Sequence, residues 1–389
     1  MSINKNTILN ILFISVVFIL TRQVPFVTFS IIGNIGLFGL ILFGIKLSRD
    51  EKSYSIIYTC ILILLWVLLL FIYSILYGNE VGLAMRFLII IYFLILVHYV
   101  KLPKEFFKIF FLFVILQSIL LIIFEFYLII FSNPVDVSSI RAYFRANDWG
   151  TVYSSMNVFY KIQIKGNALI PFGLFLTYIP EFTYKRKRLF RLILIISLII
   201  AGNFAYLIAT FIFISIMYVF KDRKRKNVKI RVLIYSVSIT LLSGFMLNFV
   251  SNTLETKDDS IGARDDQIEV LINDLDDNPF TLVFGKGLGN TIDSKTTYRD
   301  YTDMVYYELQ LVYFLNQLGV FNFILFVFIL IYLSLIKIKY SDLLFIYFCY
   351  FLYASTNPYI LDTNQAVVIL VLTNLSFYRN ENRMHLSYL

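Results

Sequence analysis

Apolar residues in this chain come in long, nearly unbroken runs separated by short polar links. The runs are Ile8–Leu20, Val24–Ile45, Ile56–Tyr77, Val81–Val100, Phe106–Phe131, Gly166–Pro180, Leu189–Ala201, Phe204–Phe220, Val232–Val250, Val320–Leu335, Leu343–Ser355 and Ile360–Phe377. A helix crosses the roughly 30 Å hydrocarbon core of a bilayer with about 20 mostly apolar residues. The pattern therefore predicts an all-α polytopic membrane protein with about twelve transmembrane helices, several of them short, forming a single bundle domain over residues 1–389. Ile8–Leu20 lacks a small-residue cleavage site and is followed by further apolar runs, so it reads as the first membrane helix. The stretch from Leu189 to Phe220 is interrupted only by Gly202 and Asn203, and it is split there into two crossings or a re-entrant hairpin.

Charge justifies that split. Lys185, Arg186, Lys187, Arg188 and Arg191 precede the pair, and a second basic cluster from Lys221 to Arg231 follows it. One crossing would place one cluster on the outer side, against the tendency of basic residues to remain cytoplasmic. With two crossings both termini are cytoplasmic, most of the 34 basic residues lie inside, and most of the 25 acidic residues lie outside or in helices. The net charge of +9 is then largely topology, and nucleic-acid binding is excluded as its meaning. Composition agrees with the class: 59% of residues are hydrophobic and 15% charged, against roughly 45–50% and 25% in soluble domains. Cys60 and Cys349 fall inside apolar runs and read as packing residues.

Two connections, 132–165 and 251–319, are much longer than the rest and fall on the outer side. Loops beyond about 12–15 residues are usually functional or disordered. Their aromatic content and the helical pattern "DDQIEVLINDL" predict order, with amphipathic helices in the second. Candidate chemistry gathers there. "FGKGLGN" at 284–290 satisfies neither the P-loop nor the dinucleotide spacing. Gly285, Gly287 and Gly289 either supply a turn or offer bare amides, with Lys286, as an anion nest. Arg86 lies six residues into an apolar run, where it marks a site or snorkels to headgroups. Arg141 and Arg145, four apart beside aromatic residues, fit a phosphate or sugar grip or a solvated helix. Glu308 opens an amphipathic stretch, as a general base or a helix-start acid. Glu125, inside an apolar run, is a candidate partner for Arg86. The aspartates of 258–277 lack calcium-loop spacing and read as a solvated face.

The order "GARDDQIEVLINDLDDNPFTLVFGKGLGN", a tyrosine-rich linker, then "YYELQLVYFLNQLGVFNFILF" resembles the large outer loop of O-antigen polymerases of Wzy type and their ligase relatives. "KGNALIPFGLFL" at 165–176 resembles the segment after the first outer loop of that family. The resemblance implies a GT-C-like bundle in a bacterial inner membrane with a periplasmic site, joining undecaprenyl-diphosphate-linked oligosaccharide repeats beside a chain-length regulator, without cofactor or metal. It implies Arg264 and Glu308 as catalytic, with Arg86, Arg141, Arg145, Lys286, Gly285, Gly287 and Tyr307 holding the diphosphate and sugar. The chain departs from the ligases: its only histidines, His98 and His385, are placed at the cytoplasmic side. Ligase and lipid-linked oligosaccharide flippase are the alternatives.

Overall fold

The structure is a computed structural model that describes residues 54–102, 105–132, 137–147, 149–155, 159–182, 184–220, 258–302, 307, 309–357 and 359–380. The expected spans Ile8–Leu20, Val24–Ile45 and Val232–Val250 lie outside them. The remaining apolar runs are helices. In chain order the elements are α1 (Tyr54–Leu76), α2 (Val81–Leu96) continued by the 3-10 turn Val97–Tyr99, α3 (Glu105–Phe131), α4 (Ser138–Ala146), the strands β1 (Gly150–Ser155) and β2 (Phe159–Ile164), α5 (Leu169–Leu176), α6 (Lys187–Ala201), α7 (Phe204–Phe220), α8 (Asp258–Leu275), α9 (Pro279–Phe284), α10 (Gln310–Lys337), α11 (Ser341–Ser355) and α12 (Thr363–Asn380).

Three described segments are long and apolar enough to cross a membrane, namely Val81–Tyr99, Phe106–Phe131 and Gln310–Lys337; Ile61–Leu76, Gly166–Leu176, Phe204–Tyr218 and Ser341–Ser355 are shorter apolar helices. The chain is a helical, membrane-embedded protein by this measure, and among the described residues three helices have the full length of a span. The expected span Gly166–Pro180 shows why. Its helical part, α5, has eight residues, all buried, about 12 Å long at 1.5 Å per residue. An apolar run looks the same whether lipid or protein covers it, and here protein does. Leu189–Phe220 is indeed two helices, α6 and α7, turning at Gly202 and Asn203.

α12 is the central post: every residue from Asn364 to Ser376 is buried, and α2, α5, α10 and α11 pack around it. Hydrogen bonds gather the connections at two ends of the bundle. At one end Asn79 reaches Lys286 and Leu288, Asn203 reaches Asn357, and Leu361 N–H donates to Gln310. At the other, Leu102 N–H donates to Asn374, Lys339 N–H donates to Ser376, and the Arg379 fork grips Glu181 and Asp342 at 2.5–3.0 Å. Segments that the charge pattern assigned to one side thus meet at one end.

The first long connection departs from the all-α expectation. After α4 it forms the antiparallel hairpin β1–β2, with Val152 paired to Ile162 and Ser154 to Tyr160. Alternation explains it: Tyr160, Ile162 and Ile164 turn inward while Phe159, Lys161 and Gln163 are only half-buried, the period-two pattern of a strand with one covered face. The inward face packs on α3 and α6.

Candidate functional site

The second long connection forms an ordered cap over one end of the bundle, built from α8, α9, the glycine turn 285–290 and the first turns of α10. Asn278 caps α9 in a full capping box with Thr281, and Pro279 takes the first helical position, where its missing N–H costs nothing. α10 is broken at Gly319, whose φ of 69° and ψ of 171° are not helical. That break releases the carbonyls of Asn316 and Gln317 from the helix ladder. The glycine turn takes them, with Lys286 N–H donating to Asn316 O at 3.0 Å and Gly287 N–H to Gln317 O at 2.9 Å.

The other amides of the turn are also engaged. Gly285 N–H donates to Thr281 O and Asn290 N–H to Gly287 O. Leu288 N–H donates to Ser74 Oγ at 2.6 Å and Gly289 N–H to Gln317 Oε1 at 3.1 Å. The anion-nest reading of Gly285, Gly287 and Lys286 is therefore corrected: every amide from 285 to 290 is spent inside the protein, and the turn is a clamp joining α1, α2 and α10. The Lys286 ammonium is spent as well. It is 7% exposed, 2.8 Å from Asp277 and 3.8 Å from Asp274. Burial works to lower its pKa, and the Asp277 hydrogen bond with the two carboxylate charges overcomes this, leaving it above the ordinary lysine value.

Asp274, which the sequence reading left in a solvated acidic face, is the hub of the buried polar network. Its Oδ2 accepts from Asn290 at 3.0 Å and from Asn316 at 2.8 Å. Asn316 also donates to Leu271 O, and Tyr313 donates its hydroxyl to Asn290 O. Nothing in the spacing of Asp274, Asn290, Asn316 and Gln317 marked them, because the Gly319 break brings them together. The polar pattern of buried Asn and Gln on an otherwise apolar helix start was the available signal.

Beside this network stands a column of rings. Tyr301 and Tyr307 lie parallel at 6.0 Å, Tyr307 and Tyr313 lie 4.3 Å apart with their planes tilted by 32°, and Phe87 of α2 meets Tyr313 edge-on at 5.9 Å. Tyr307 is buried with no hydrogen-bond partner for its hydroxyl, and burial, then the Asp274 charge, pushes that hydroxyl well above the usual tyrosine range. At the foot of the column is Arg86, exposed on α2 next to Phe87 and an electrostatic neighbour of Tyr313.

The structure thus brings Arg86, Lys286, Gly285, Gly287 and Tyr307 into one region and separates two others from it. Arg141 and Arg145 sit on α4, against the hairpin. Arg141 Nε donates to Val152 O at 3.0 Å and its guanidinium lies 4.8 Å from the Tyr153 ring, while Arg145 is exposed. Arg264 is not at a helix start. α8 begins at Asp258, so Arg264 is its seventh residue, exposed and beyond the free amides of the first turn. Glu308 lies outside the described residues; its neighbour Leu309 donates its N–H to buried Gln267 at 2.8 Å. Glu125 does not pair with Arg86. Its Oε1 accepts the Tyr160 N–H of β2 at 2.7 Å, and its Oε2 has no partner. Among the described residues no group of three or more His, Cys, Asp or Glu is placed to hold a metal ion. No family model, curated protein or solved structure matches the chain.

Proposed function

We propose that the chain is a membrane glycosyltransferase that polymerises undecaprenyl-diphosphate-linked oligosaccharide repeats at the outer face of a bacterial plasma membrane. The reading rests on the resemblance in the second long connection. The observation that carries it is Arg86, an arginine exposed on an apolar helix at the foot of a tyrosine column beneath an ordered polar cap. A guanidinium stays charged next to lipid and binds phosphate oxygens with a planar fork. The rings beside it are buried and join the cap to α2.

In the reaction, the bond between the anomeric carbon and the diphosphate oxygen of the growing chain breaks. A hydroxyl of the incoming lipid-linked repeat forms the new glycosidic bond, its proton passes to a base, and undecaprenyl diphosphate leaves. The donor is already activated, so no nucleotide is consumed. Arg86 stabilises the departing diphosphate, Glu308 is retained as the base, and the hairpin module with Arg141 and Arg145 flanks the acceptor. Arg264 becomes an outlying contact.

The surface glycan of a deletion strain on a gel tests this. A single repeat on each core is the polymerase result; the absence of repeats points to ligase or flippase, and an unchanged ladder removes the proposal. Losing a charged hydrogen-bond partner costs about 1.5–3 kcal/mol, and about 1.4 kcal/mol is a factor of ten in rate. Arg86→Ala is expected to lower polymerisation at least about ten-fold at normal membrane levels, with Arg86→Lys recovering part. Arg264→Ala is expected to cost less than Arg86→Ala.

A further inference from the structure

The polarity of the cap changes abruptly at Asn278. Before it, the outward positions of α8 and the following turn are mostly charged or polar, among them Asp265, Glu269, Asp276 and Asp277. After it, α9 turns Phe280, Leu282, Val283 and Phe284 outward, each between 38% and 56% exposed. Only Thr281 of this helix is buried, its hydroxyl lying 2.9 Å from Leu275 O and 2.8 Å from Asn278 O, which share its one proton. Four outward apolar side chains on a six-residue helix are an unusual surface to offer to water.

Ring contacts show what that surface joins. Phe280 lies 6.3 Å from Tyr73 of α1, and Phe284 lies 6.2 Å from Phe321 of α10. Ile72 and Leu76 on α1, with Ile324 and Phe328 on α10, are themselves exposed, and α10 is one of the segments fit to cross a membrane. The outward face of α9 is thus continuous with the lipid-facing sides of two bundle helices. Tyr73 and Tyr77, at the end of α1, lie 5.8 Å apart, and tyrosine is the residue type enriched at the boundary between hydrocarbon and headgroups.

We infer that α9 is immersed in the bilayer leaflet beside the ends of α1 and α10, its outward face covered by lipid acyl chains. The Asn278 capping box and the Gly319 break hold it there. The Lys286–Asp274–Asp277 cluster, which flanks α9 in the chain, then sits at headgroup level, and the charged face of α8 stands in water. This inference needs only the membrane-embedded character of the chain and is independent of the polymerase reading.

The test is a nitroxide at Val283→Cys and, as control, at Glu269→Cys, in a Cys60→Ala, Cys349→Ala background reconstituted in phosphatidylcholine–phosphatidylglycerol vesicles. Collision with oxygen, which concentrates in acyl chains, is compared with collision with water-soluble nickel chelate. The expected result is a shift toward oxygen at 283 and toward nickel at 269, and Leu282→Cys is to repeat the 283 result if Val283→Cys is poorly folded. A nickel-accessible label at 283 places α9 in water and overturns the inference. A label reached by neither reagent means that protein covers the helix, which overturns it equally.

Discussion

Gly285 and Gly319 occupy the same few ångströms. A Cβ on Gly285 would stand 2.2 Å from Gln317 O, and one on Gly319 would stand 2.2 Å from Gly285 N. Both residues also hold positive φ, 84° and 69°, so an L side chain is strained at either even before it collides. Gly285→Ala is expected to destabilise the cap by about 3 kcal/mol, read as earlier thermal unfolding in detergent; unchanged unfolding would contradict the clamp. The Lys286–Asp277 contact sets a pH window. Lys286 is raised, so its contribution is complete below the unfolded value of about 10.4 and is lost as pH rises through the folded one. Asp277 is lowered, chiefly by the Lys286 hydrogen bond, so its contribution is present above about pH 4 and is lost as pH falls through the lowered value. Hydrogen-exchange protection of the Lys286 and Gly287 amides, corrected for intrinsic rates, is therefore expected to stay level from about pH 5 to 9 and to weaken beyond either edge. A steady change across that range would show that the pair does not hold the turn.

Among the elements, the hairpin β1–β2 is tied to α3 by one buried carboxyl. Glu125, 5% exposed, accepts the Tyr160 N–H, while Ser132 pairs with the hydroxyl of the same tyrosine. Glu125→Gln keeps the acceptor and is expected to leave the hairpin intact. Glu125→Leu strands a buried N–H, a loss of about 1–3 kcal/mol, read as faster hydrogen exchange at Tyr160 and Ile162. Equal exchange in the two variants would assign Glu125 another role. The helices were legible in the sequence because apolar runs of this length have few other solutions, and so was the turn at Gly202. The hairpin was less legible. Its inward Tyr160, Ile162 and Ile164 alternate over only six residues, inside a segment marked mainly by its length. α5 reads as a crossing in the sequence because Leu169–Leu176 is apolar all round, and a fully buried helix carries no stripe. Of the candidate site, Arg86, the glycine turn and Tyr307 were visible as single oddities. Asp274 was not, since its partners Asn290 and Asn316 come from distant positions joined by the Gly319 break.

At the scale of the whole molecule, the bundle has two chemically distinct ends. One carries the cap, the hairpin and the Asn203–Asn357 contact. The other carries Lys101, Lys337 and Lys339 with the Arg379–Glu181–Asp342 cluster. A cysteine at Ser294 of the cap is expected to react with an impermeant maleimide added outside intact cells, and one at Lys339 is not; the reverse pattern would invert the orientation. The most direct measurement is purified protein in lipid vesicles, supplied with undecaprenyl-diphosphate-linked repeat units and EDTA, without nucleotide. The proposed function requires a ladder of longer lipid-linked glycans and one undecaprenyl diphosphate released for each new linkage. Intact repeats with no diphosphate released, or a ladder that appears only when a divalent metal is restored, would contradict it.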